Sequence, residues 1–380
     1  MPRGGGPVAC RHERAIGARP VSARRSLCSS PPSTGARSSF VWLTEVAAPG
    51  PRVRAFARKL SRWMVDALTT VVTHRARRTR PASGGSFARN ERFEIGGPTL
   101  TEEGIMFIRT LDELAAAGRI KSLVNDTTRS ARFLTAADGM GFSYNDNRVS
   151  KGSDAALWYK HHWEANYIIS GRGEVTDLTT GQSWPLEPGV LYVVGPNDRH
   201  RFRVTEDEHH VSVFCPPLRG DERHDEDGGY AANGPAPQTD RRMFVKRADE
   251  MRAAGKEMTA ANGQARTVRM LTKADDVGFG FSVVHFAAGA DATLWYKHHW
   301  EANHIIFGTG EVTDLTTGQS WRLEPGVGYN VGPKDRHRVR AHTDVHLVSV
   351  FCPPLAGHEL HDADGALAPS GPVPPGPEGY

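Results

Sequence analysis

The sequence repeats itself. Leu157–Asn166 (LWYKHHWEAN) recurs letter for letter as Leu294–Asn303, an offset of 137 residues. At the same offset Gly173–Trp184 (GEVTDLTTGQSW) returns as Gly310–Trp321, Val211–Leu218 (VSVFCPPL) as Val348–Leu355, and Met106–Phe107 aligns with Met243–Phe244. Whatever fold the chain adopts must be one that a unit of roughly 120 residues can form and that two such units can share. The copies cover residues 106–228 and 243–365. A linker rich in Gly, Ala, Pro and Asn spans 229–242, and a Pro/Gly-rich tail, 366–380, is expected to be disordered.

Residues 1–105 have no counterpart in either copy. Residues 1–90 carry seventeen basic and three acidic side chains, so the remaining chain is acidic although the whole has a net charge of +4. The leader is expected to be a mostly disordered basic extension, because its Gly, Pro, Ser and Arg content buries too little surface to offset ordering entropy. Val53–Arg75 has spacing for a basic amphipathic helix. Two readings fit the leader: an organellar transit peptide, or translation starting at Met106, where the recognisable domain begins. An acidic body repels phosphate backbones, so nucleic acid is not expected as a partner. No apolar run is long enough to span a bilayer, so none is a membrane either. The four cysteines form no CxxC pair, which fits a reducing, cytoplasmic setting with Cys215 and Cys352 as small buried hydrophobes.

Within each copy the apolar residues alternate over short runs. Asn166–Ser170, Gly173–Asp177, Val190–Val194 and Val211–Phe214 read as strands, separated by Gly, Pro and Asp clusters, which predicts an all-β sandwich or barrel. One short helix is expected at Thr110–Ala117, stopped by Gly118. The densest polar cluster is Tyr159–Glu164. If this stretch is a strand, Tyr159, His161 and Trp163 share one face and Lys160, His162 and Glu164 the other, making His162 and Glu164 ligand candidates if that face points inward. One hairpin later come Tyr192 and Asp198–Arg199–His200; near the end comes Glu222–Arg223–His224, with Glu and His expected on one face. Nitrogen and oxygen donors from separate strands suit a divalent first-row metal. The second copy keeps Glu301, Tyr329 and His337, although it has diverged at Asp276–Val277 and Gly328.

Together these motifs resemble ectoine synthase, a small cupin enzyme. They are the FIRTLDEL start, DGMGFS (Asp138–Ser143), YKHHWEA (Tyr159–Ala165), the turn before Tyr192, DRH (Asp198–His200) and the stretch Phe214–Gly228. The resemblance implies two tandem cupin (double-stranded β-helix, jelly-roll) barrels and a metal-dependent ring closure of a small molecule, with iron(II) the implied ion. It places metal ligands at Glu164, Tyr192 and His200, and at Glu301, Tyr329 and His337. It places substrate contacts at Arg132 and Phe214, with Arg269 and Phe351 in the second copy. Catalytic proton carriers are implied at Tyr159, Glu222 and His224, and at Tyr296, Glu359 and His361. Three positions depart from the family pattern: Thr128 and Ala265 where a Trp is usual, Asn147 and Val284 where a Thr is common, and Ser212 and Ser349 where Cys is frequent. The competing readings are a non-catalytic solute-binding or regulatory cupin and a bicupin metal oxygenase. The two copies are expected to pair within one molecule as an intrachain pseudo-dimer.

Overall fold

The computed structural model describes residues 106–380; the expected basic extension and its amphipathic helix lie outside the described residues. The regular structure of the described chain is almost entirely antiparallel strand, with two six-residue α-helices at Leu111–Ala116 and Ala248–Ala253. Thr110 caps the first helix, and the Glu113 carboxylate answers the Thr110 backbone N–H, so one capping box sets its start. The helix ends before Gly118, whose φ of 67° suits glycine.

Each repeat closes a barrel from a large and a small sheet. In the second repeat these are separate. The strands Glu257–Ala260, Ala265–Leu271, Gly280–Phe286, Val345–Cys352, Trp300–Phe307 and Val327–Val331 form one wall, and Asp291–Leu294, His337–Ala341, Gly310–Asp314 and Ser320–Leu323 form the other. In the first repeat two long strands, Trp163–Asp177 and His200–Cys215, run through both walls. The runs expected at Asn166–Ser170 and Gly173–Asp177 are thus one element, while Val190–Val194 is found with the expected bounds. These are the two tandem cupin barrels.

The barrels exchange their opening strands. Phe107–Thr110, from the first repeat, adds to the edge of Val327–Val331 in the second, with Ile108 opposite Tyr329. Phe244–Arg247, from the second, adds to Val190–Val194 in the first, with Val245 opposite Tyr192. Edge backbone groups that would otherwise lie open are paired in this way.

Three apolar cores result. One fills the first barrel around Tyr159, Val175, Tyr192 and Phe214. A second fills the other barrel around Tyr296, Val312, Tyr329 and Phe351. The third lies between the repeats, where the outer faces of the large sheets meet through Phe133, Tyr144, Tyr167 and Val213 on one side and Met270, Phe281, Trp300 and Val350 on the other. Sheets covered on both faces explain why Val190–Val194 is apolar and buried at every position. No helix among the described residues is long and apolar enough to cross a membrane.

The linker 229–242 packs on the first barrel: Tyr230 is buried in its core, and Arg242 Nε pairs with Asp198 Oδ1 at 2.9 Å. One expectation is corrected here. The tail is not loose. Tyr380 packs on Trp300 with ring centroids 4.4 Å apart, and its hydroxyl accepts from the Lys334 backbone N–H at 2.7 Å. Linker and tail thus do the same job at equivalent places, clamping the loops that precede His200 and His337.

Candidate metal centre and cavity

Each barrel holds a cavity lined by side chains of its inner walls. The large wall brings two of the expected ligands to one face. Asn166 pairs directly with Tyr192, and Glu164 lies two residues along the same strand, so all three side chains point into the first cavity. The second repeat repeats this with Glu301, Asn303 and Tyr329. His200 begins the segment that pairs with Asp177 and Leu157. Its ring centroid lies 6.1 Å from that of Tyr159 and 6.4 Å from that of Tyr192.

The electrostatics of this group fit a cation. His200 is fully buried and burial drives its pKa down to about 4, so the ring is neutral. Its Nδ1 lies 3.3 Å from the Asp198 carbonyl oxygen, which fixes the proton there and leaves a bare lone pair on Nε2. Neither His200 Nε2 nor Glu164 Oε2 has a hydrogen-bond partner among the described residues. A buried polar atom left this way costs ~1–3 kcal/mol. In the second repeat His337 holds the same tautomer through the Asp335 carbonyl at 3.1 Å, and its Nε2 is again bare. A backbone carbonyl orienting the far nitrogen is the usual arrangement of a metal-binding imidazole. Burial also raises the Glu164 and Glu301 carboxyls to about 7, against the opposing bonds from Asn166 and Asn303, and lifts Tyr192 and Tyr329 well above their ordinary range. Carboxylate, phenol and imidazole are donors for a first-row divalent ion.

Tyr159 and His224 line the first cavity and meet at 3.0 Å between hydroxyl and Nε2. Tyr296 and His361 meet at 3.2 Å, and there the proton positions follow from geometry: the Ala261 backbone N–H donates to His361 Nδ1, so Nε2 carries the ring proton and donates to the tyrosine oxygen. The Tyr296 O–H is left free to donate into the cavity. Phe214 and Phe351 stand edge-on to these tyrosines at 5.4 Å.

Several sequence expectations fail for one local reason. Trp158–His162 is a turn, and the strand begins only at Trp163, so alternation does not extend back to Tyr159. Tyr159 and Glu164 therefore reach the same cavity. His162 does not: its Nδ1 and Nε2 face the carbonyl oxygens of Pro216 at 2.9 Å and Ala231 at 3.2 Å, which removes it from the ligand candidates. The segment holding Glu222 and His224 is likewise irregular, and only His224 lines the cavity. The Glu222 carboxylate accepts from the backbone N–H groups of Arg219 and Gly220, and Glu359 does the same at Ala356 and Gly357.

Arg132 and Arg269 occupy equivalent places with different partners. Arg269 Nη1 donates to Glu359 Oε2 at 2.7 Å. Arg132 instead stacks over the Tyr230 ring at 5.5 Å and has no ion pair among the described residues. Tyr230, which sequence reading left in the linker, also stacks on His224 at 4.5 Å. Its signal was the offset itself, since position 367 is Leu and lines the second cavity. The departing residues Asn147 and Ser212 bond to each other at 2.7 Å on the first cavity's wall; Val284 ends that network in the second. Among the described residues, one further group of metal-ligand side chains exists, Asp146, His209 and His304, outside both cavities.

L-ectoine synthase of Desulfatibacillum aliphaticivorans is 41% identical over 125 residues, 33% of this chain and 96% of that protein. L-ectoine synthase of Halomonas elongata is 38% identical over 135 residues, 36% of this chain and 96% of its own. The crystal structure of protein Ylba from E. coli is similar over 68% of this chain and 95% of its own, at a TM-score of 0.49 and 12% identity. The family model described as Ectoine synthase matches twice, over residues 106–234 and 243–370, and with more than half of its length so matched this chain belongs to the ectoine synthase family.

Proposed function

We propose that this enzyme, a hydro-lyase, closes N-γ-acetyl-L-2,4-diaminobutyrate into the compatible solute ectoine with loss of water. Glu164, Tyr192 and His200, and their counterparts Glu301, Tyr329 and His337, would hold a divalent iron in each barrel. Such an ion supplies Lewis acidity toward the amide oxygen. The observation that supports this reading is the pair of bare, buried donor atoms, Glu164 Oε2 on the cavity wall and His200 Nε2, whose ring lies 6.4 Å from that of the buried Tyr192.

The chain's own residues supply the rest. Arg132, with no acidic partner among the described residues, would take the substrate carboxylate as a bidentate fork. The apolar wall of Leu157, Phe202 and Phe214 folds the substrate so that amine and carbonyl meet, an orientation that can be worth several kcal/mol. The Tyr159 hydroxyl, held by His224, is placed to protonate the departing oxygen. Glu222, held by backbone N–H groups, would position the loop that carries His224 instead of acting as the base.

The test is anaerobic incubation of the full chain with ferrous iron and the acetylated diamine, read by mass spectrometry. A product lighter by one water is expected, with its formation lost in the double variant Glu164→Ala, Glu301→Ala together with bound iron. Unchanged iron content in that folded variant would remove the ligand assignment, and no product from the loaded parent would remove the reaction.

A further inference from the structure

At the seam between the repeats, three ligand-type side chains converge that take no part in either cavity. Asp146, on Ser143–Val149, and His209, on His200–Cys215, come from the first repeat; His304, on Trp300–Phe307, comes from the second. Nε2 of both imidazoles lies on the same carboxylate oxygen, Asp146 Oδ2, at 2.8 Å from His209 and 2.9 Å from His304. The three donor atoms lie within 4.8 Å of one another, and the residues are 2%, 9% and 1% exposed respectively.

His304 is the informative member. Its Nε2 is close to Asp146 Oδ2 without the alignment of a hydrogen bond, and its Nδ1 has no partner among the described residues, so among these an imidazole shut away from water is left with both nitrogens unsatisfied. The rings of Phe133 and Tyr144 stand edge-on to it at 4.9 and 5.9 Å and fix its plane. The other carboxylate oxygen, Asp146 Oδ1, faces Arg148 Nε at 3.3 Å, which leaves Oδ2 for the shared point.

We propose that Asp146, His209 and His304 form a third metal site, which takes one divalent first-row transition ion, zinc in the simplest case, and clasps the two repeats together. Two imidazoles and one carboxylate suit such an ion and do not suit calcium or magnesium, which prefer all-oxygen shells. Because the donors come from both repeats, the ion binds only once the large sheets have docked. The site exists once per chain. The positions related to these by the repeat offset are Val283, His346 and Tyr167, which offer one imidazole and no carboxylate, and His346 is stacked on His285 at 4.5 Å. Divergence between the copies made the site.

The test is zinc stoichiometry. Metal-free full chain is dialysed against zinc alone at neutral pH and compared with His304→Gln and Asp146→Asn, with folding checked by circular dichroism. Each folded variant is expected to bind one zinc fewer than the parent; equal stoichiometry in parent and folded variants overturns the site. That difference counts the seam alone and does not depend on how the barrel sites are assigned. If neither variant folds, the double variant Glu164→Ala, Glu301→Ala decides: one retained zinc supports the clasp, and none overturns it.

Discussion

Arg132 and Arg269 show how much one side chain's neighbours decide. Arg269 spends its charge on Glu359, whereas Arg132 meets only an aromatic face and neutral groups. A substrate carboxylate entering the second cavity must compete with an ion pair already made, and one entering the first need not. Glu301→Ala is therefore expected to keep most of the turnover with the acetylated diamine, and Glu164→Ala to lose it by about tenfold or more. Equal losses would show that the ion pair does not limit the second site. The glutamates also set a pH dependence. Their folded pKa of about 7 exceeds the ordinary 4.5, so the contribution of each to metal-free stability is present below about pH 4.5 and is lost as pH rises through about 7. A bound cation takes the carboxylate form, so added ferrous iron is expected to raise the melting temperature more at pH 8 than at pH 5.5, with affinity falling about tenfold per pH unit below about 7. An equal shift at both pH values would show that these carboxylates do not hold the ion. The proposed ligands Glu164, Tyr192 and His200 were legible through the family resemblance and through their recurrence at a fixed offset. The side each residue faces was not, since Trp158–His162 turns where a strand would alternate.

At the scale of elements, strand exchange ties each site to the other repeat. Ile108 sits opposite Tyr329 and packs against the second barrel's core, so the first strand of the chain supports the second site. Deleting residues 107–110 is expected to lower iron in the second barrel and spare the first. The deletion variant should hold about half the parent's barrel iron, and Glu164→Ala in that background should remove what remains. Loss from the first barrel instead would contradict the exchanged pairing. Val190–Val194 could be read from its unbroken run of aliphatic and aromatic residues, because both of its faces are covered. The partner of Phe107–Thr110 could not, because a four-residue strand carries no label for an edge that lies in the other repeat.

For the whole molecule, the third core decides what the halves can do alone. Separated, each repeat would expose the apolar face built around Phe133, Tyr144 and Val213 or around Met270, Phe281 and Val350, together with an unpaired strand edge. Residues 106–242 expressed alone are expected to sediment as a dimer, with Phe107–Thr110 pairing onto Val190–Val194 of a second copy. A stable monomer would show that the seam is dispensable. The tandem arrangement itself was plain from the repeat; the exchange within it was not, since it depends on contacts far apart in sequence. That distance matters while the protein is being made. The ribosome places Phe107–Thr110 outside its tunnel some 220 residues before the edge it must join, a wait of roughly ten to forty seconds at ~5–20 residues per second. Throughout that interval the half-made molecule carries a free strand and a bare apolar wall that a neighbouring nascent chain on the same message can match. Protection from mispairing therefore arrives late, when the final third of the polypeptide emerges.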